Sequence, residues 1–319
     1  MRKGIFFLLL TSTLFANTIL DLYRQKGLDA TQKELDKELT QKSYWKSVIN
    51  KSDTSFGYIE GYNSLLICDK NSSTLKLYQK DNNGKFILKN EYNAFTGKNK
   101  GEKQYEGDLK TPVGIYNLVK KLSKVDSFYG PLAFVTSYPN LYDRYQNKKG
   151  HGIWIHGLPL HQKRDTFTKG CIAIDNDSIK CLSQEIDMSR TVLLIFENKE
   201  IIKNQKKELI TLASWLYKWR NAWKYNDIDT YLSFYAKDFK RANGMDIEDF
   251  SNYKRAIFLR KQKKEIIFKD INIIPYPNHP DIFQITFYEK YQTPEYTFNG
   301  QKEILVKKEN KTYKIFSEK

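Results

Sequence analysis

The chain has 319 residues, of which 40% are hydrophobic and 14% aromatic, so it is not an intrinsically disordered protein and is long enough for about two domains. Its formal net charge of +16 gives a surface that attracts anions. Nucleic acid is the generic partner of such a surface, and lysine enrichment that serves only solubility is the alternative. We predict no nucleic-acid partner, because the N-terminus indicates export.

The first residues have the order of a secretory signal peptide. Met1-Arg2-Lys3 is positively charged, residues 4–15 are mostly apolar, and Ala16 is small enough to precede a cleavage site. We therefore assign residues 1–16 to a signal peptide; a buried N-terminal helix is the alternative. The apolar run is too short to span a membrane, and no later stretch approaches the ~18 apolar residues that a span requires. We predict a periplasmic protein without a membrane span.

After the signal peptide, the pattern changes from helical to strand-like. Residues 17–55 carry apolar residues at loosely helical spacing among many charges, which predicts a helical N-terminal segment. Residues 56–197 then contain short apolar runs separated by Gly, Asn and Pro, which favour a β-sandwich or barrel. The predicted strands are 62–68, 74–78, 86–94, 111–116, 152–156 and 191–196.

A second domain is predicted at residues 198–319, beginning in a charged segment without a clear pattern. Apolar and aromatic residues at helical spacing predict helices at 209–225 and 227–239. Strands are predicted at 265–274, 281–291 and 303–316. Helices followed by antiparallel strands indicate an α+β domain. The fold class is therefore α+β with more than one domain.

The chain has three cysteines, so at least one thiol is unpaired within the monomer. Cys68 lies in an apolar strand and Cys181 in a predicted helix over 177–186, and both are predicted to be core residues. Cys171 is different, because Gly170 precedes it in a segment rich in small and polar residues. The alternatives for Cys171 are a buried thiol and a disulfide with Cys181.

Cys171 and His156 together have the chemistry of a nucleophile and its base. A thiol with an ordinary pKa near 8.5 is mostly protonated at neutral pH, and an adjacent imidazole can remove its proton to give the reactive thiolate. Gly157 permits a sharp turn after His156, and Gly170 permits close approach to a substrate. Backbone N–H groups near Gly170 are candidates for an oxyanion hole. A core histidine is the alternative for His156.

These residues form a recognisable pattern, Ile153-Trp154-Ile155-His156-Gly157 followed by Thr168-Lys169-Gly170-Cys171-Ile172. The pattern resembles the catalytic signature of the L,D-transpeptidase (YkuD-like) family, and the TPVG sequence at 111–114 adds to the likeness. The resemblance covers residues 56–197 and implies a mainly-β YkuD-like sandwich. Residues 219–239 resemble the opening of NTF2-like domains, which implies an α+β cone at residues 198–319.

The sequence also departs from this signature. Most members have histidine and arginine where Lys169 and Ala173 stand here, which places the usual substrate recognition in question. This departure and the second domain resemble the cell-shape-determining L,D-carboxypeptidases of helical bacteria. The resemblance implies a cysteine hydrolase that removes the terminal D-alanine from tetrapeptide stems of peptidoglycan. The alternatives are an L,D-transpeptidase that forms 3-3 crosslinks or attaches proteins to the wall, and a non-catalytic peptidoglycan-binding or scaffold protein.

The remaining expectations concern ligands and partners. Basic loop residues, aromatic residues and residues of the cysteine motif are candidates for substrate binding, with solvated loop charges and core packing as the alternatives: Lys169, Thr168, Arg164, Trp154, Ala173 and Tyr142. No metal is predicted, because neighbours among His151, His156 and His161 would face opposite sides of a strand. No cofactor is predicted. The expected partners are peptidoglycan stem peptides and other wall enzymes, with a homodimer also possible.

Overall fold

The structure, a computed structural model, describes residues 5–161, 165–198, 205–310 and 312–319, with side chains from Thr18 onward. The helices are α1 (Ile5–Glu38), α2 (Lys42–Ile49), α3 (Leu141–Tyr145), α4 (Asn176–Glu185), α5 (Lys206–Lys224), α6 (Ile228–Ser233) and α7 (Ile247–Phe258). The strands are β1 (Tyr58–Ile59), β2 (Ser64–Asp69), β3 (Thr74–Lys80), β4 (Phe86–Asn93), β5 (Gly114–Leu122), β6 (Ala133–Thr136), β7 (Trp154–His156), β8 (Ile172–Ala173), β9 (Thr191–Phe196), β10 (Glu265–Tyr276), β11 (His279–Gln292), β12 (Thr297–Glu309) and β13 (Thr312–Glu318). Within these described ranges, no helix has both the length and the apolar character needed to cross a membrane.

The first domain is built on an eight-stranded sheet with the order β4-β3-β2-β9-β5-β6-β7-β8. Strand β9 (sequence TVLLIF) is buried along its whole length, because it lies inside the sheet with apolar layers on both faces. At the far edge, β7 and β8 run parallel, with Ile155 opposite Ile172 and His156 opposite Ala173. This short pair brings two segments that are distant in sequence to one edge of the sheet.

The second domain is a five-stranded antiparallel sheet with the order β1-β10-β11-β12-β13, covered by helices. Helix α5 buries a face of apolar and aromatic residues against it, including Leu212, Leu216 and Trp219. Strand β1 precedes the first domain's sheet in the chain, yet it pairs with β10 through Tyr58 and Ile273. The chain therefore contributes one short strand to the sheet of the second domain before it enters the sheet of the first domain.

Three features of the second domain differ from the sequence-based expectations. The predicted strand 303–316 is two strands, β12 and β13, separated by a turn at Asn310, whose backbone has positive φ. The predicted helix 227–239 ends at Ser233, and Tyr235 then pairs with Ile315. Helix α7 was not predicted, because a lysine occupies the centre of its buried face.

The buried face of α7 carries Phe250, Lys254 and Phe258, and it leads to a group of charges inside the second domain. The Lys254 ammonium lies 4.9 Å from the ring centre of Trp223, and burial lowers its pKa to about 8. Burial raises the pKa of Glu289 to about 7, and Glu289 Oε1 has no hydrogen-bond partner among the described residues. We call Lys254, Glu289 and Glu318 the buried charge cluster.

The N-terminal helical segment is attached to the second domain by one buried carboxylate, that of Asp36. It accepts hydrogen bonds from Arg220, Lys224 and Tyr225, the last at 2.6 Å. Burial opposes ionisation of Asp36, but the hydrogen bonds and the two positive charges outweigh it and lower the pKa of the carboxyl. Removing this carboxylate would leave two buried cations without their shared partner.

We therefore expect Asp36→Ala to lower the free energy of unfolding by about 3 kcal/mol or more, the range for breaking a buried ion pair. Trypsin should also cleave the region before α2 faster than in the parent protein. Asp29→Ala is the matched control, because Asp29 pairs with Lys263 on an exposed surface. Urea unfolding and limited proteolysis measure both effects, and equal losses for the two variants would contradict this role of Asp36.

The pKa of Glu289 predicts a pH dependence of stability. Because its folded pKa of about 7 lies above the ordinary value of 4.5, the folded state binds more protons than the unfolded state between these values. Stability should therefore fall as pH rises through this window. Glu289→Gln should remove roughly 2–3 kcal/mol of the difference in unfolding free energy between pH 5 and pH 8. Urea titrations test this, with the exposed Glu295→Gln as control; an unchanged difference in Glu289→Gln contradicts it.

Candidate active site

The histidine and cysteine of the sequence motif meet at the β7–β8 edge. His156 is the last residue of β7, and Cys171 immediately precedes β8. Ile174 N–H donates to the carbonyl of His156 at 3.0 Å, which continues the pairing beyond β8. On its other side, Ala173 exchanges two backbone hydrogen bonds with Phe95, at 2.8 and 2.9 Å. The cysteine segment is thus held between two backbone partners.

The imidazole of His156 is oriented by a backbone carbonyl. Its Nδ1 lies 2.6 Å from the carbonyl oxygen of Gly157, and only 1% of the residue is exposed. Because a carbonyl oxygen can only accept, Nδ1 carries the proton, and in the neutral ring Nε2 is then the basic nitrogen. Tyr129 supports this orientation, with its ring edge-on to the imidazole at 5.0 Å. No acidic side chain is needed to set the tautomer.

The loop before Cys171 is closed by the hydroxyl of Thr168. This hydroxyl donates to the carbonyl of Cys171 at 2.6 Å and accepts from Gly170 N–H at 2.9 Å. Thr168 is itself buried and bound to the preceding segment, since its N–H donates to the carbonyl of Thr96 at 2.7 Å. The Gly170 N–H suggested for an oxyanion hole is therefore already engaged. The Cys171 thiol donates to the carbonyl of Gly152 at 3.5 Å.

At two positions of the motif, neighbouring atoms leave no room for a side chain, so only glycine fits. Gly170 has φ of +135°, and a Cβ there would lie 2.8 Å from the carbonyl oxygen of Lys110. A Cβ on Gly157 would collide with Asn176, whose side-chain oxygen accepts from Leu158 N–H at 2.9 Å. Both positions hold the backbone that carries the cysteine and the histidine.

His156 and Cys171 line one pocket of about 280 Å³. The other described residues of its wall are Thr168, three aromatic residues and two charged residues: Phe128, Tyr129, Phe167, Asp165 and Lys169. Asp165 and Lys169 form no hydrogen bond or ion pair with any described residue. The described lining of the pocket therefore offers apolar walls, one positive and one negative charge, and a thiol beside an imidazole.

Three of the other predicted substrate-binding residues lie outside this lining. Trp154 is half-buried and packs on Tyr129 at 5.0 Å. Ala173 is fully buried in β8. Tyr142 packs against Tyr276 of the second domain at 4.7 Å, away from the pocket. Arg164 lies outside the described residues.

The three cysteines have different environments, and none of them forms a disulfide. Cys68 is fully buried as predicted, and burial raises the pKa of its thiol to about 12, so it stays protonated. The prediction that Cys181 is a core residue was wrong, because Cys181 is exposed on α4. Helix α4 instead buries Ile179 and Leu182. Cys171 is thus the thiol that shares a pocket with an imidazole.

Sequence reasoning missed several residues of potential functional importance. Asp165 and the aromatic residues Phe128, Tyr129 and Phe167 belong to no motif, and only the folded chain brings them together. The buried charge cluster was missed because Lys254 interrupts the apolar pattern of α7. Across the described ranges, no group of three or more His, Cys, Asp or Glu residues is arranged to hold a metal ion.

Comparison with known families matches both domains. A model described as the L,D-transpeptidase catalytic domain matches residues 63–195, and one described as the Cds6 C-terminal NTF2-like domain matches residues 211–319. The predicted YkuD-like and NTF2-like fold class is thereby confirmed. The chain is 37% identical over 79 residues to the L,D-transpeptidase-family protein YafK of Escherichia coli K12, an alignment that covers 25% of this chain and 29% of that protein. It thus spans less than a third of the length of this curated relative.

Two solved structures match nearly the whole fold. The helical cell shape determining protein Pgp2 from Campylobacter jejuni is 40% identical with a TM-score of 0.80, covering 88% of this chain and 99% of that chain. Bd1075 of Bdellovibrio bacteriovorus is 29% identical with a TM-score of 0.67, covering 84% of this chain and 96% of that chain. The chain therefore belongs to the same family as Pgp2, and it carries an L,D-transpeptidase catalytic domain followed by a Cds6 C-terminal NTF2-like domain.

Proposed function

We propose that this protein is a periplasmic peptidoglycan L,D-carboxypeptidase that removes the terminal D-alanine from tetrapeptide stems and thereby influences cell shape. The observation that carries the proposal is the shared pocket of Cys171 and His156, with the imidazole oriented by the Gly157 carbonyl. The family assignment supports peptidoglycan as the substrate. The similarity to Pgp2, which is described as determining helical cell shape, supports the effect on cell shape.

The first half of the reaction is acylation. His156 Nε2 accepts the proton of the Cys171 thiol, and the thiolate attacks the carbonyl carbon on the L-centre of the third stem residue, diaminopimelate. The carbon–nitrogen bond to D-alanine then breaks as the histidine returns its proton to the leaving amine. A thioester on Cys171 remains. The buried position of His156 keeps its ring in one orientation during both proton transfers.

The second half decides between hydrolysis and crosslinking. Water, deprotonated by His156, attacks the thioester and releases a tripeptide stem and the free thiol. If an amine of a second stem attacks instead, a 3-3 crosslink forms. The pocket volume of about 280 Å³ lies at the lower end of the range for small-molecule sites, which favours one stem and water over two stems.

The charges of the pocket support recognition of a short zwitterionic peptide. Lys169 is exposed at the pocket beside the nucleophile and can pair with the carboxylate of the terminal D-alanine. It replaces the charge that the family's arginine would supply at position 173, where a buried alanine stands. Thr168 and Gly170 fix the backbone conformation of the loop and are not assigned a contact with the peptide.

A peptidoglycan-binding role of the second domain would accompany this catalysis. The observation that favours it is the buried charge cluster, in which Glu289 Oε1 has no hydrogen-bond partner and Lys254 is surrounded by aromatic rings. Stem peptides carry both ammonium and carboxylate groups that such a cluster could pair with. Binding alone, without catalysis, is the remaining alternative for the whole protein.

We expect Cys171→Ala to abolish release of D-alanine from tetrapeptide muropeptides, because no other thiol lies in the pocket. His156→Ala should lower kcat by about 10²–10⁴-fold, the usual contribution of general acid–base catalysis. Cys181→Ser is the matched control and should retain full activity, since this thiol is exposed on α4. Mass spectrometry of the products measures all three variants.

The products of the parent protein distinguish the alternatives. Tripeptides without dimers would support the carboxypeptidase. Dimers that depend on Cys171 would identify a transpeptidase. Unchanged tetrapeptides would favour the binding protein, and they would refute the proposed reaction.

We also expect Lys169→Gln to raise KM for tetrapeptides about three- to tenfold with little change in kcat. A hydrogen bond to a charged group contributes roughly 1.5–3 kcal/mol, and an exposed one such as that of Lys169 contributes less. The effect should disappear with a substrate whose terminal carboxylate is amidated. Lys180→Gln, on the exposed surface of α4, is the matched control. An equal rise in KM for both substrates would show that Lys169 does not bind this carboxylate.

A further inference from the structure

The segment between β4 and β5 runs along the cysteine loop and touches it at both ends. We call residues 95–111 the strap. At its start, Phe95 pairs with Ala173, and Lys98 N–H donates to the carbonyl of Thr168 at 3.2 Å. At its end, Lys110 lies against Gly170 with no room for a Cβ between them. The position of the strap therefore sets the position of the segment that carries Cys171.

The strap is braced internally by a buried ion pair. Lys103 Nζ lies 2.7 Å from Asp108 Oδ1, and each side chain is only 3% exposed. The same carboxylate accepts from the backbone N–H groups of Gln104 at 2.7 Å and Lys110 at 3.1 Å. Because these contacts connect the middle of the strap to its end, a displacement at the middle reaches Lys110 and hence Gly170.

The middle of the strap is attached to both domains. Within the first domain, Gly101 N–H donates to Glu197 at 3.0 Å, and its carbonyl accepts from Lys70 at 2.7 Å. The next residue, Glu102, reaches the second domain: its Oε1 lies 2.7 Å from His279 Nε2. Its other oxygen accepts from the buried Lys148 at 2.7 Å. Glu102 is thus the residue through which the strap contacts the second domain.

His279 is itself fixed within a rigid part of the domain junction. It begins β11, and its ring packs edge-on against Tyr142 at 5.3 Å and Tyr276 at 5.8 Å. The Tyr276 hydroxyl accepts from the buried Asn140 side chain at 2.7 Å. Hydrogen bonding to His279 is the largest cause that lowers the pKa of Glu102 to about 2, so this carboxylate is ionised throughout the neutral range.

We propose that the second domain positions the nucleophile of the first through the contact of His279 with Glu102, which makes both residues positioning residues for the reaction. The path is continuous: His279 holds Glu102, Glu102 holds the braced strap, and the strap holds Thr168 and Gly170 around Cys171. The inference rests on the proposed function only in taking Cys171 as the nucleophile. It gives the second domain a role in catalysis that is separate from any ligand it binds.

The test measures the reactivity of Cys171 without any peptidoglycan. In a Cys181→Ser background, where Cys68 is buried, the rate of alkylation by iodoacetamide reports on Cys171. We expect His279→Ala and Glu102→Gln to change this rate and its pH profile, and to lower kcat for D-alanine release about tenfold with KM within about twofold. His279→Gln, which keeps an N–H donor toward Glu102, should recover part of the loss.

The matched control is Glu106→Gln, which makes the same chemical change on the strap at an exposed side chain that faces His151 and not the second domain. It should leave alkylation and kcat at the parent values. Thermal unfolding identifies any variant that fails to fold. If Glu102→Gln fails to fold, His279→Ala and His279→Gln carry the test, because the imidazole is a quarter exposed.

Each outcome decides the question. Parent-like alkylation and kcat in folded His279→Ala would overturn the inference, and so would an equal loss in Glu106→Gln. If the parent protein releases no D-alanine but its alkylation responds to His279→Ala, the proposed function fails while the positioning role stands. If D-alanine release depends on Cys171 but is insensitive to His279, the proposed function stands and the positioning role fails.

Discussion

The parallel pairing of two very short strands, Trp154–His156 and Ile172–Ala173, is the contact on which the active site depends. A parallel pair cannot be joined by a tight turn. The described residues just before the second strand, Asp165 and Phe167 to Lys169, form part of the pocket wall. The pair alone buries little surface. Its stability comes from Phe95 on the far side of Ala173 and from the apolar core beneath Ile155 and Ile172.

This arrangement explains why so much of the site is made of backbone. The Gly157 carbonyl orients the imidazole, and the Cys171 carbonyl and Gly170 N–H are bound by one hydroxyl, that of Thr168. Backbone groups lose no side-chain entropy when they are fixed, so they are suited to hold a nucleophile within a fraction of an ångström. Substitution of Thr168 would therefore mainly change the conformation of the loop that carries Cys171, and not a direct contact with the substrate.

The sequence was sufficient to predict those parts of the fold and site whose signals are local. The cysteine and histidine lie in short motifs with glycines at fixed positions, and the strands near residues 64–80 and 191–196 follow clear apolar patterns. The exposure of Cys181 was predicted wrongly although α4 was predicted, because Ile179 and Leu182 already define its buried face.

Tertiary contacts account for the other differences. Tyr142 has the same aromatic signal whether it lines a pocket or packs at a domain junction, and only the position of Tyr276 decides between them. Helix α7 was missed because Lys254 stands between Phe250 and Phe258 on its buried face. Lys254, which interrupts the apolar pattern of α7, also places a positive charge inside the second domain. A break in an apolar pattern can therefore mark a functional position as well as the end of an element.

The placement of charge bears on which reaction follows the thioester. A transpeptidase must hold a donor and an acceptor stem, each with fixed groups, whereas a hydrolase needs fixed groups for one stem only. Here position 173 holds a buried alanine, and the charges of the pocket, Asp165 and Lys169, stand on one loop at its mouth. Among the described residues of this loop, one charge of each sign lines the pocket, and this pair matches a single zwitterionic peptide. Water needs no such groups to reach the proposed thioester, which supports the proposed hydrolysis over transfer.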